Sequence, residues 1–201
     1  MVWNVFTAAL YRRTHEVMAA LDAGLPPNAG CDRFDHTLLH SVLYMHDVLQ
    51  RMLDSGWDPN AKDKNGRTPV HMACFQANLQ AVQQLVAAGG KLDSLSNNGE
   101  TPMFDALEGS GCAEEDEVVL ERCRLLRWLA DRPDVDWCHK NTYGYAALDL
   151  VCIMEQGCPD NRCTDIAWAA MEAQKRQNTR WTPLRATFVG SVAAAAGISF
   201  G

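Results

Sequence analysis

Eight cysteines, at positions 31, 74, 112, 123, 138, 152, 158 and 163 of this 201-residue chain, are the residues with the widest chemical reach: thiolate nucleophiles, disulfide halves or zinc ligands. The sharpest metal grouping is Cys158 with Cys163, completed by Cys152 or His139. Its spacing fits no common zinc finger, and no C-x-x-C pair occurs. No metal and no cofactor are therefore expected. No secretory leader precedes the first amphipathic segment, so the thiols are expected to be reduced, small core residues, Cys74 and Cys123 among them. The expected location is cytoplasmic rather than secreted, although Arg12 and Arg13, with no acid before Glu16, overlap in composition with an organelle-targeting peptide. His40 and His71 titrate near neutrality in the unperturbed state and are the natural acid-base candidates. Catalysis would need partners for them. The chain has no Ser-His-Asp order with an elbow glycine, no phosphate-binding loop and no G-x-G-x-x-G, so no enzyme is expected.

What positions these histidines is a recurring phrase. Thr68-Pro69-Val70-His71-Met72-Ala73 returns 33 residues later as Thr101-Pro102-Met103-Phe104-Asp105-Ala106. Thr37-Leu38-Leu39-His40-Ser41-Val42 stands 31 residues upstream, and Ala146-Ala147-Leu148-Asp149-Leu150-Val151 lies 45 residues downstream of Thr101. Glycine falls two residues before the threonine, at Gly66 and Gly99, where a tight turn needs positive φ. Threonine suits the cap of a helix and proline its first turn, where a missing N–H costs nothing. Each phrase is followed by a second apolar run closed by glycine, as in Val48 to Gly56 and Ala81 to Gly89. Such runs read as amphipathic helices with glycine caps.

The phrase resembles the ankyrin repeat, whose signature is Thr-Pro-Leu-His-x-Ala. The resemblance implies an all-α solenoid of about five and a half helix-turn-helix units with short β-turn fingers, over residues 1–29, 30–61, 62–94, 95–139, 140–178 and a truncated 179–201. It also implies that His40 and His71, in the fourth position, hold neighbouring turns together and are not catalytic. Thr37, His40, Gly66, Thr68, Pro69, His71, Gly99, Thr101, Pro102 and Gly144 are its structural residues. The fourth unit carries 12 extra residues, placed near 109–117, where glycine, serine and acids read as a solvated loop. The C-terminal segment 187–201 is apolar where a capping helix is usually polar, and is expected to fold back or to form an interface.

A repeat stack offers surface rather than a closed pocket. Composition agrees with one folded body: 47% hydrophobic, 21% charged and a formal charge of −7, which argues against nucleic acid as a partner. No segment approaches the length of a membrane-spanning helix. In ankyrin-like stacks the fingers and the inner face of each first helix do the binding. The contact residues expected here are Arg33, Phe34, Lys64, Arg67, Tyr44, Phe75, Asp105, Trp137, Lys140, Tyr143 and Tyr145, with Ser41, Met72, Gln76 and Glu108 also on the inner helices. The three rings at 137, 143 and 145 are the strongest candidates, since aromatic residues dominate interface hot spots. The expected function is non-catalytic protein binding, as a scaffold or accessory subunit of a larger assembly; the alternative is a regulatory or pathogen-encoded adaptor that redirects a cellular protein.

Overall fold

A computed structural model describes residues 2–26, 36–108, 116–146, 149 and 162–177. The chain divides into two units, 1–171 and 172–201, and of the second only 172–177, the end of the last helix, is described. Arg33, Phe34, residues 109–115, Cys152, Cys158 and the apolar segment 187–201 lie outside the described residues.

The described residues hold helices α1 (Val2–Leu10), α2 (Thr14–Asp22), α3 (Leu38–Ser41), α4 (His46–Asp54), α5 (Pro69–Phe75), α6 (Leu79–Ala87), α7 (Pro102–Glu108), α8 (Asp116–Ala130) and α9 (Arg162–Gln177). They contain no strand, only a bridge between Lys140 and Ala146. In the first unit α1, α3, α5 and α7 pack side by side as an inner row, and α2, α4, α6 and α8 as an outer row. The two rows meet within helix pairs, at α1 with α2, α5 with α6 and α7 with α8. This is an all-α repeat solenoid of the expected kind.

Amphipathic spacing explains the layers. On α5, Val70, Ala73 and Cys74 are buried on one flank, and on α6 Ala81, Val82 and Leu85 face them. Helices this short are unstable alone, so each unit depends on burying its apolar stripe against the next. The outer helix α8 adds a polar tie. Arg122 occupies a core-facing position in the run Cys123, Leu125, Leu126 and Leu129, and is only 2% exposed. Its guanidinium donates to the carbonyl of Ala106 on α7 at 2.8 Å and approaches that of Phe75 on α5 at 3.4 Å. A cation at the carboxyl ends of two helices satisfies carbonyls that the helices leave open.

Candidate functional site

Three fingers are described, and each is the same five-residue turn. Its first residue is Asp63, Ser96 or Asn141. The backbone N–H of that residue donates to the carbonyl four residues on, at 2.9 Å in all three. Its side-chain oxygen accepts two backbone N–H groups in return: Asn65 and Arg67 at 2.8 Å for Asp63, Asn98 and Glu100 at 3.3 and 3.2 Å for Ser96, Tyr143 and Tyr145 at 3.1 and 3.0 Å for Asn141. These acceptors hold the turns from inside. They escaped the sequence reading, yet a short acceptor three residues before the turn glycine was a visible signal.

The fingers are sewn to each other. Asn97 N–H donates to the Asn65 carbonyl and Thr142 N–H to the Asn98 carbonyl, each at 2.8 Å. The Asn97 amide adds a bond to the Lys64 carbonyl at 2.8 Å. Gly66 and Gly99 adopt φ of +73° and +71°. A Cβ on Gly66 would stand 2.8 Å from the Asn97 backbone nitrogen, so this glycine serves both the turn and the close approach of the next finger.

Histidines link helix to finger. Thr68 N–H donates to His71 Nδ1 at 3.1 Å, which leaves the proton on Nε2, and Nε2–H donates to the Glu100 carbonyl of the next finger at 3.2 Å. His40 repeats the arrangement with Thr37 N–H at 3.1 Å and the Arg67 carbonyl at 3.3 Å. Burial disfavours the imidazolium in both. It lowers the pKa of His40 and brings that of His71 down to about 4, so His71 is neutral and structural near pH 7. In the fourth unit Phe104 stands where the histidine would be. There His139, at the very end of the same unit, donates to the Gly99 carbonyl at 2.8 Å. Its Nε2 is committed to that bond.

Two expected contact residues are not on the surface. Trp137 is 3% exposed and belongs to the core. It sits four residues before the finger residue Asn141, the register of Leu92 before Ser96 and Pro59 before Asp63, all buried positions. Asp105 is 1% exposed, and its carboxylate forms an ion pair with Arg67 at 3.1 Å across the interface of units three and four. A buried carboxylate needs a cation, and the half-buried Arg67 supplies it. Tyr143 and Tyr145 are 67% and 51% exposed, as expected of a finger, and Lys64 and Lys140 are exposed as well. Phe75 ends α5 and Tyr44 lies in the turn after α3, both partly exposed; Arg12 covers one face of the Tyr44 ring at 4.4 Å. Among the described residues no three His, Cys, Asp or Glu side chains converge on a possible metal position.

Two rows of short helices with a hydrogen-bonded edge of turns define a repeat scaffold whose usable feature is its surface. Residues 38–119 match ankyrin repeats in three copies, so the chain carries ankyrin repeats over that stretch. It is 31% identical over 105 residues to an ankyrin repeat-containing protein of Schizosaccharomyces pombe, covering 52% of this chain and 44% of that protein. It is 38% identical over 69 residues to the potassium channel SKOR of Arabidopsis thaliana, covering 34% of this chain and 8% of the channel. It is 36% identical over 85 residues to the human neurogenic locus notch homolog protein 2, covering 40% of this chain and 3% of that protein. The chain thus spans less than half the length of each of these relatives. Repeats of this family generally mediate protein–protein interaction. No helix among the described residues is long and apolar enough to cross a membrane.

Proposed function

We propose that this chain is a non-catalytic protein-binding module that serves as a scaffold or accessory subunit of a larger assembly, and that its fifth finger is the anchor of the contact. The observation that carries this reading is the pair Tyr143 and Tyr145, exposed on a turn whose backbone is fixed by Asn141 and sewn to the fourth finger by Thr142. Nothing in the turn's own bonding uses the two rings. Large rigid side chains held out on an ordered loop lose little entropy on docking and desolvate well, which is what hot spots need. Lys64 and Lys140, exposed on the same edge, supply rim charge.

The test is affinity purification of the tagged protein from its own cells with mass spectrometry, beside a Tyr143→Ala/Tyr145→Ala variant. The variant should melt within a degree or two of the parent, because exposed substitutions change stability by about 0.5 kcal/mol or less. Its stoichiometric partners should be lost. Partners retained at full stoichiometry by a folded variant would move the contact elsewhere.

A further inference from the structure

Cys123 on α8 and Cys163 in the first turn of α9 bring their Sγ atoms to 3.3 Å, from positions 40 residues apart in sequence. Both side chains are nearly closed to solvent, at 2% and 6% exposure. A disulfide needs sulfurs at ~2.05 Å, so the bond would require an approach of roughly 1.3 Å. Hydrophobic packing alone does not demand this pairing, since Ala167, Ala170 and Met171 already bury the α9 face. Cys163 also points a weak S–H contact at the Val119 carbonyl, 3.9 Å away and one turn before Cys123 on α8. Cys74 makes the contrast within the chain. It is fully buried on α5, where desolvation pushes its thiol pKa well up and holds it as an inert core residue.

We propose that Cys123 and Cys163 are a thiol–disulfide exchange site that a small-molecule disulfide such as glutathione disulfide converts to an intramolecular bond, stapling the first turn of α9 to α8. Written with Cys163 first, its thiolate attacks one sulfur of glutathione disulfide, the glutathione S–S bond breaks, and one glutathione leaves as thiolate and takes up the proton that Cys163 lost. The Cys123 thiolate then attacks the protein sulfur of that mixed disulfide. The Cys123–Cys163 bond forms and the second glutathione leaves, accepting the Cys123 proton. The protein loses two electrons and two protons, and glutathione disulfide becomes two glutathiones; the opposite order of attack balances identically. Because both thiols are covered, the first attack requires α9 to part from α8, so exchange reports local opening of that contact.

The full chain, purified reduced, is equilibrated against a series of oxidised-to-reduced glutathione ratios, quenched by alkylation and analysed by intact mass and peptide mapping. The expected product is a species two hydrogens lighter, with the 123 and 163 peptides joined, formed at lower oxidant than any other pair. Its melting temperature should rise by several degrees, since closing a loop of this length restricts the unfolded chain. Cys123→Ala and Cys163→Ala should each lose the joined peptide and the thermal gain. Alkylation of both thiols at every ratio, or joining of either one to Cys138, Cys152 or Cys158 in preference, would overturn the proposal. The mapping on the parent chain stands even where an alanine variant fails to fold.

Discussion

At the junction of the third and fourth units, His71 on α5 reaches forward to the Glu100 carbonyl; where the fourth unit meets the fifth, His139, the last residue of the fourth, reaches back to the Gly99 carbonyl. One finger, 96–100, is gripped from both sides by imidazole N–H groups on adjacent carbonyls. The first link uses the repeat's own histidine, buried and held by Thr68. The second replaces that histidine with Phe104, whose ring meets the His139 ring edge-on at 6.2 Å between centroids. Thr101, the counterpart of Thr68, is left with a buried hydroxyl that has no hydrogen-bond partner. Both links place an imidazole N–H on a carbonyl of this finger, and that donor need not come from the fourth position of the phrase. What the second junction gives up is satisfaction of its cap.

The largest way to break the comparison is through the turn glycines. Gly66→Val combines strain at φ +73° with overlap on the Asn97 backbone nitrogen, and should cost roughly 3–5 kcal/mol. Gly99→Val meets Thr142 at a looser 3.1 to 3.2 Å from the Cβ and should cost about 1–3 kcal/mol. Urea melts of the two variants measure the difference. Equal losses would show that φ strain alone matters and that the 3/4 junction is no tighter than the 4/5 junction.

Next in size is pH. His71 has a folded pKa of about 4 against the ordinary 6.5, so the unfolded chain binds a proton that the folded chain refuses between those values. Stability is complete above about pH 6.5 and falls as pH drops towards 4, by up to about 3 kcal/mol from His71, with His40 acting in the same direction. Phe104 carries no proton and adds nothing at its junction. Denaturant midpoints at pH 7 and pH 5 should differ in the parent and differ much less in His71→Gln. An unchanged slope in that variant would remove His71 as the source.

The inner and outer helices, the turn glycines and the structural role of the histidines were all legible in the sequence, because each is fixed by residues a few positions apart and repeats with the unit. Register outweighs size at Trp137: aligned on Asn141 it falls beside Leu92 and Pro59, and all three are buried. The pairing of Arg67 with Asp105 was not legible. Each residue looks like surface charge on its own element, and only the apposition of α7 to the third finger turns them into a buried pair. Arg122 hid in the same way, an arginine in an apolar run whose partners are carbonyls on two other helices. Side chains that act across units carry no local mark.

The smallest and sharpest test compares the two caps directly. Thr68→Val removes a hydroxyl 2.9 Å from His71 Nδ1 in a fully buried site and should cost about 1–2 kcal/mol, since one partner of a buried polar pair is deleted. Thr101→Val removes a hydroxyl that has no partner and replaces it with a methyl of similar size in the same kind of pocket. Its expected effect is between neutral and a gain of about 1 kcal/mol, because the desolvation of that hydroxyl is uncompensated in the folded state. Thermal melts of both single variants and the double variant measure this, and the two effects should add, as the sites share no partner. A loss at Thr101→Val as large as that at Thr68→Val would mean the fourth unit has a donor or acceptor for its cap after all, and that Phe104 is not the reason the two junctions differ.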